Sequence, residues 1–141
     1  MTVKLAKPNI FTVRRIALGL ATNDTRPLVE ALDESVIWRS NSTPPFFRFD
    51  GEHRTRAGVM EFLAKLYADY AFTRYDIDSI AEIGNDVWAV SDVEVFHRPT
   101  QRAVAGRLAF RMTFKDGKLT AYEGFFDTAN VLQQQGRLKV A

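Results

Sequence analysis

Hydrophobic positions follow a helical period in the first half of the chain and a period of two in the second half. Apolar residues three and four positions apart predict an amphipathic helix over residues 9–21 and a short second helix around residues 28–32. A third helix is predicted after Thr55, a residue type that can cap it, with its apolar face between residues 59 and 70. The first half of the chain is therefore predicted to be mainly helical.

Alternation of apolar and polar residues then predicts extended structure. The predicted strands cover residues 36–41, 72–83, 88–97, 103–114 and 119–126. Residues 42–51 are predicted to form a loop, residues 115–118 a hairpin turn, and the residues after Asp127 a short helix. This order predicts an α+β fold with a meandering antiparallel sheet, in a single domain of residues 1–141 with its core at about 9–136.

The strand predicted over residues 88–97 indicates which side of the sheet is buried. Its odd-numbered side chains are mostly small and apolar and end at His97, so we place them on the inner face. Its even-numbered side chains combine Trp88 and Phe96 with carboxylates. Large rings among charges favour a contact between subunits, although scattered surface apolar residues are also ordinary. We therefore predict a homodimer through the outer face.

Composition excludes several classes of protein. The 141 residues include 19 basic and 17 acidic side chains, a net charge of +2 without a basic run, so a nucleic-acid partner is not expected. Cysteine is absent and there are two histidines, which excludes disulfides and thiolate catalysis and argues against a metal site. No cofactor is indicated. Arg14 and Arg15 interrupt the apolar N-terminal stretch, so we expect a cytoplasmic protein without a membrane partner.

Three segments carry a more specific pattern. DESVIWRSN has an acidic pair followed by Val-x-Trp, and FDGEHRTRAGVMEFLAKL has a glycine followed by a helix of the Val-x-x-Phe type. KLTAYEGFFDTANVLQQQG has a strand that ends at Asp and a short helix with Gln-x-Gly. In this order, over about residues 9–136, they resemble the SnoaL-like (polyketide cyclase-like) branch of the nuclear transport factor 2-like or ketosteroid isomerase-like superfamily.

The resemblance implies a cone, in which a curved antiparallel sheet wraps around three N-terminal helices and encloses one deep pocket, and it implies a dimer. The superfamily hosts several reactions, so the chemistry depends on the residues present. The groups that ketosteroid isomerase and limonene epoxide hydrolase require are missing here. The aligned positions hold Arg39, Ile16 and Phe110 for the isomerase, and Ser91, Val93 and Gly124 for the hydrolase.

Asp127 and His97 are the candidate acid–base residues. The resemblance places Asp127 where SnoaL-type cyclases have an aspartate that acts as acid and base. An aspartate directly before a short helix is also a favoured N-cap, so both roles stay open. His97 ends a strand on the predicted inner face, where it could titrate near neutral pH or lie at the rim as an ordinary polar residue.

The remaining candidates would bind the ligand. The alignment turns Arg39 and Asn41 toward the pocket, where an arginine would favour an anionic or carbonyl group; an exposed arginine is the alternative. Aromatic and apolar side chains would form the walls: Trp38, Tyr67, Phe110, Met112 and Tyr122, with Phe46, Phe47 and Phe49.

Two functions are compatible with these residues. The first is a cyclase-, isomerase- or lyase-type enzyme that acts by acid–base catalysis on a hydrophobic carbonyl compound. The second is a ligand-binding or dimerisation domain of the same fold without catalysis. In either case the expected ligand is a small hydrophobic or aromatic molecule, which could be anionic if Arg39 faces the pocket.

Overall fold

A computed structural model describes residues 8–42, 47 and 51–138, and in these residues the elements follow the predicted order. The predicted loop residues Pro44, Pro45 and Asp50 and the wall residues Phe46 and Phe49 lie outside the described residues. The elements are α1 (Asn9–Ala21), α2 (Arg26–Ala31), β1 (Leu32–Ser40), β2 (Glu52–Arg54), α3 (Thr55–Asp69), β3 (Tyr70–Ile83), β4 (Asp86–His97), β5 (Arg102–Lys115), β6 (Lys118–Phe126) and α4 (Thr128–Gln134).

The strands form one open sheet of six strands in the order β2-β1-β6-β5-β4-β3. All neighbours run antiparallel except β1 and β6, which are parallel. The α+β class and the curved sheet packed on helices are confirmed. The expectation of a purely antiparallel sheet is corrected at this pair, because β1 joins the sheet beside the last strand of the meander.

The turn between β5 and β6 fixes the register of this long hairpin. Lys115 pairs with Lys118, so the loop consists of Asp116 and Gly117. Both central residues have positive φ angles, 50° and 78°, as a type I′ turn requires. The predicted turn is confirmed at this position.

Helices α1 and α3 cover the inner face of the sheet. Val13 and Ile16 of α1 and Val59 of α3 are almost completely buried in the hydrophobic core. The hydroxyl of Thr55 accepts a hydrogen bond of 3.2 Å from the backbone N–H of Gly58, which is the contact of an N-cap side chain. Thr55 is the first residue of α3 and makes this capping contact, whereas the side chain of Arg54, which precedes the helix, makes none. The helix buries its apolar stripe against the sheet.

The inner faces of β4 and β5 follow the alternation in the sequence. Ala89, Ser91 and His97 are buried on β4, whereas Trp88 is 44% exposed. Phe110, Met112 and Phe114 are buried on β5. Tyr70 is an exception to the helical prediction, because it begins β3 instead of ending α3.

Candidate functional site

A largely apolar cavity of about 180 Å³ lies between the helices and the inner face of the sheet. Its walls come from all four helices and from all strands except β2. The side chains that enclose it include Leu20, Phe62, Leu63, Leu66, Phe72, Val93, Val95, Val104, Leu108, Met112 and Phe126. A cavity with this lining suits a small hydrophobic ligand.

A pair of stacked aromatic rings forms one wall of the cavity. Trp38 of β1 and Tyr122 of β6 are partners in the parallel strand pair, and their ring centroids lie 3.7 Å apart at 12°. Phe62 of α3 contacts the other side of Trp38, with centroids 5.5 Å apart. Of the predicted wall residues, Trp38, Met112 and Tyr122 line the cavity, as does Phe47.

Two of the other predicted wall residues are placed differently. Phe110 is 1% exposed and packs beside Tyr122 in the core, outside the cavity wall. Tyr67 is also outside the cavity, and its buried hydroxyl has no hydrogen-bond partner among the described residues. Burial raises the pKa of the Tyr67 phenol to about 12. Both are corrected from the cavity wall to the core.

Asp127 both caps α4 and lines the cavity. Its Oδ1 accepts a hydrogen bond of 3.0 Å from the backbone N–H of Asn130, so it caps α4. It also lines the cavity, together with Asn130 and Val131 of the helix that it caps. Capping and access to the cavity, which the sequence presents as alternatives, are compatible because α4 sits over the cavity.

His97 is buried at the end of β4, outside the cavity wall. Its Nδ1 and the hydroxyl of Thr100 are 2.6 Å apart and hydrogen bonded, and its ring contacts the ring of Tyr70, 4.9 Å away. Burial lowers the pKa of His97, with a further lowering by Arg137 and an opposing effect of Asp69. His97 thus packs behind the cavity-lining Tyr70, and the structure does not bring it together with Asp127.

The predicted orientation of β1 is wrong by one residue. Trp38 and Ser40 line the cavity, whereas Arg39 points away from it and its Nε contacts Oε1 of Glu52 at 2.6 Å. The cause is that burying Trp38 turns its strand neighbours to the opposite face of the sheet. Asn41 is exposed, and its side-chain amide hydrogen bonds to the backbone of Phe126 at 2.8 and 3.2 Å. Arg39 and Asn41 therefore do not line the cavity.

A charged residue absent from the sequence-based candidates, Arg107, does line the cavity. Its Nη1 lies 2.8 Å from Oδ2 of Asp78 and 3.0 Å from Oδ1 of Asp92. The guanidinium is held in an ion-pair cluster at the sheet, and hydrogen bonds to both carboxylates raise the pKa of Arg107. Arg107 and Asp92 are direct partners across β4 and β5, on the same face as the exposed Trp88, so the guanidinium lies on the outer face and Arg107 borders the cavity through its backbone.

Two glycines shape the sheet side of the cavity, and the sequence analysis does not single out Gly106. A Cβ on Gly106 would meet nothing within 4 Å, so this position leaves open space beside the cavity that it lines. A Cβ on Gly124 would lie 2.5 Å from the hydroxyl oxygen of Tyr122. An isolated glycine inside a predicted strand is the signal that could have identified Gly106.

Some classes of site are not found in the described part of the chain. No group of three or more His, Asp or Glu side chains within residues 8–42, 47 and 51–138 is arranged to hold a metal ion. Within the same residues, no helix combines the length and the hydropathy that crossing a membrane would need.

These features define a class of small α+β domains in which helices and an open sheet enclose an apolar cavity. The family model described as the SnoaL-like domain matches residues 13–122, and the chain belongs to this family. No curated protein sequence matches the chain. The resemblance seen in the sequence is confirmed.

Similar solved structures share the fold at low identity. An NTF2-like protein of unknown function from Burkholderia pseudomallei is 20% identical, with a TM-score of 0.82 over 92% of this chain and 98% of that chain. TerC, crystallised with polyporic acid, is 22% identical, with a TM-score of 0.79 over 92% and 99%. A hypothetical protein with a ketosteroid isomerase-like fold from Catenulispora acidiphila, in complex with trimethylamine, is 13% identical, with a TM-score of 0.75 over 89% and 92%.

Proposed function

We propose that this SnoaL-like domain binds a hydrophobic small molecule in its cavity and catalyses a cyclase-, isomerase- or lyase-type reaction on a carbonyl compound. The observation that carries this proposal is that Asp127 lines the same apolar cavity as Trp38 and Tyr122. Asp127 would be the acid–base residue. Its Oδ1 is held by the N–H of Asn130, while no hydrogen bond to another described residue engages Oδ2.

The proton transfer would use ordinary carbonyl chemistry. The carboxylate of Asp127 would take a proton from the carbon next to the carbonyl group, so that the C–H bond breaks and its electron pair moves into an enolate. Returning the proton to another carbon completes an isomerisation, and attack of the enolate carbon on a second carbonyl group completes a ring closure. A rigid apolar cavity would hold the substrate in the reactive conformation.

Binding can be measured with the protein's own fluorescence. The chain has two tryptophans, and Trp88→Phe leaves Trp38 in the cavity wall as the single emitter. Titration with the bicyclic ketone α-tetralone should change its emission. Gly106→Leu should abolish this change, because the new side chain would extend into the open space beside the cavity. Ala103→Leu, an exposed position on the same strand, is the matched control and should bind normally.

Catalysis can be measured separately from capping. Asparagine caps helices about as well as aspartate but cannot serve as a carboxylate base. Deuterium incorporation into α-tetralone in heavy water should therefore be catalysed by the wild type and lost in Asp127→Asn, with thermal stability retained. Equal exchange in both proteins would eliminate Asp127 as the base.

A non-catalytic binding domain is the second candidate function. The ion-paired Arg107 and the position of His97 outside the cavity favour it, because among the described lining residues Asp127 is then the one acidic or basic side chain, tyrosines aside, without an ion-pair partner. Ligand binding without any catalysed exchange would select this alternative.

We also propose that the chain forms a homodimer through the outer face of β4 and β5. Trp88 is exposed there, and the guanidinium of Arg111 lies over its ring, 5.4 Å from the centroid. Arg111 also pairs with Glu123 at 2.8 Å, so the face combines an apolar ring with polar groups at its side. Sedimentation of the wild type and of Trp88→Glu tests the proposal, which predicts a dimer that the substitution dissociates.

A further inference from the structure

Two tyrosines of the cavity wall have hydroxyl groups without a hydrogen-bond partner among the described residues. Tyr75 and Tyr122 line the cavity and are 7% and 8% exposed. Tyr70, which also lines the cavity, differs from them because its hydroxyl is hydrogen bonded to Gln135. The two hydroxyl oxygens are not among the fully enclosed atoms without a partner, so they border the cavity and are available to pair with a ligand atom.

Gly124 keeps the hydroxyl of Tyr122 beside the cavity. Tyr122 and Gly124 lie two positions apart on β6, so they share the inner face, and both line the cavity. A Cβ atom at position 124 would lie 2.5 Å from the phenol oxygen of Tyr122, which is too close. Because Gly124 has no side chain, the phenol oxygen can occupy this position. Any larger residue at position 124 would displace this hydroxyl.

Both phenols are donors at physiological pH. Burial raises the pKa of Tyr122 and, with the proximity of Tyr122 and Tyr67, the pKa of Tyr75 well above its ordinary value of 10.0. A protonated phenol can donate its hydrogen to a carbonyl oxygen or to an enolate.

The charges at the cavity oppose an anionic ligand. Asp127 adds a carboxylate to the wall, whereas the guanidinium of Arg107 lies on the outer face of β5 and is paired with Asp78 and Asp92. The described lining residues therefore carry no unpaired positive charge that would compensate a ligand carboxylate.

We propose that the hydroxyls of Tyr75 and Tyr122 donate hydrogen bonds to an oxygen of the ligand, and that the site takes an uncharged carbonyl compound. This inference rests on the proposed function, because it assumes that the cavity is the binding site. It assigns two binding residues that the sequence analysis leaves without this role, and it selects against the anionic ligands that Arg39 would have favoured.

Three ligands of similar shape test the inference: α-tetralone, the hydrocarbon tetralin, and 5,6,7,8-tetrahydro-2-naphthoate. Their affinities are measured by calorimetry for the wild type, Tyr75→Phe, Tyr122→Phe and Tyr67→Phe. The ketone should bind more tightly than the hydrocarbon, and Tyr75→Phe and Tyr122→Phe should each reduce this preference about three- to tenfold. Tyr67→Phe is the control, because the Tyr67 hydroxyl also has no partner among the described residues but lies outside the cavity, and this variant should retain the preference.

Two further measurements exclude a purely structural effect. The infrared C=O stretch of α-tetralone labelled with ¹³C should shift to lower frequency on binding to the wild type, and less in Tyr75→Phe and Tyr122→Phe. The thermal midpoints of Tyr75→Phe and Tyr122→Phe without ligand should stay equal to or above that of the wild type, because the removed hydroxyls have no hydrogen-bond partner among the described residues.

The outcomes separate this inference from the proposed function. If neither tetralin nor α-tetralone binds, the proposed cavity site itself is wrong. If both bind with equal affinity, or if Tyr75→Phe and Tyr122→Phe keep the wild-type preference, the cavity site stands and the donor role is overturned. Tighter binding of the carboxylate than of the ketone would overturn the assignment of an uncharged ligand.

Discussion

Trp38 and Tyr122 stack face to face across the parallel pair β1–β6, with ring centroids 3.7 Å apart. This contact joins β1, the strand that follows α2, to β6, the strand that leads to Asp127. It also forms one wall of the cavity. The same pair of rings therefore contributes to both the core and the candidate site.

Loss of the Trp38 ring should strongly reduce the stability of the protein. Trp38 is 6% exposed and contacts Phe62 as well as Tyr122, so Trp38→Ala should lower the free energy of unfolding by about 3–5 kcal/mol. Trp88→Ala is the matched control, because the other tryptophan is 44% exposed and should cost much less. Urea unfolding followed by circular dichroism measures both, and equal losses would contradict the central position of Trp38.

The cap at Asp127 gives a second stability prediction. Asp127→Ala removes the acceptor for the N–H of Asn130 and should cost about 1 kcal/mol in the free energy of unfolding, whereas Asp127→Asn should cost little. Chemical denaturation checks both values. If the alanine and asparagine variants were equally stable, the 3.0 Å contact would contribute nothing and capping would not be a reason for this residue.

The elements that the sequence predicts well are those whose signal is local. The period of the apolar residues and the caps at Thr55 and Asp127 depend on neighbours in the chain, and the hairpin at Asp116-Gly117 depends on two residues. The three-residue strand β2 and the parallel pairing of β1 with β6 have no such signal. They arise from contacts between distant segments.

The candidate site was harder to predict than the fold because it depends on register. Trp38 and Arg39 are both predicted to face the pocket, but neighbours on a strand point to opposite faces, and the structure places Trp38 at the cavity and Arg39 on the other face. The two hydroxyls at the cavity could not be recognised in the sequence, since a tyrosine in a strand gives no sign of whether its oxygen is paired. Asp127 was found because a family motif marks it.

The burial of His97 predicts a dependence of stability on pH. Its lowered pKa means that the unfolded chain binds a proton more readily than the folded chain. Stability from this group is therefore complete above the ordinary pKa of 6.5 and falls as the pH drops from there toward the lower folded value. Unfolding measured between about pH 5.5 and 7.5, roughly one unit either side of that value, should show this fall in the wild type.

The variant His97→Gln should lack this part of the pH dependence, since glutamine does not titrate but can still hydrogen bond to Thr100. His53→Gln, at the other histidine of the chain, is the control and should keep it. The difference between each variant and the wild type removes the contributions of Asp69 and Arg137, which face His97. If stability still fell with decreasing pH in His97→Gln, the pH dependence would come from other groups.

Two glutamines of the Gln133-Gln134-Gln135 run connect α4 to the sheet: Gln135 hydrogen bonds to Tyr70, and Gln134 hydrogen bonds to the backbone of Ala105. The side-chain amide of Gln134 accepts from the N–H of Ala105 at 2.9 Å and donates to its carbonyl at 2.7 Å. Gln134→Ala should therefore loosen α4, which carries the cavity-lining Asn130 and Val131. Hydrogen exchange of the α4 amides should accelerate in this variant and not in Gln133→Ala, because Gln133 is exposed.

Substitution of Arg39 distinguishes the observed orientation of β1, with Arg39 on the outer face, from the expected one, with Arg39 in the pocket. Its guanidinium pairs with Glu52 at the surface, and Glu52 also contacts Arg54 at 2.7 Å. An exposed pair contributes little, so Arg39→Ala should leave stability almost unchanged. Thermal shifts with α-tetralone and with aromatic carboxylates should be equal in wild type and Arg39→Ala. A carboxylate shift lost only in the variant would return Arg39 to the binding site and contradict its position on the outer face.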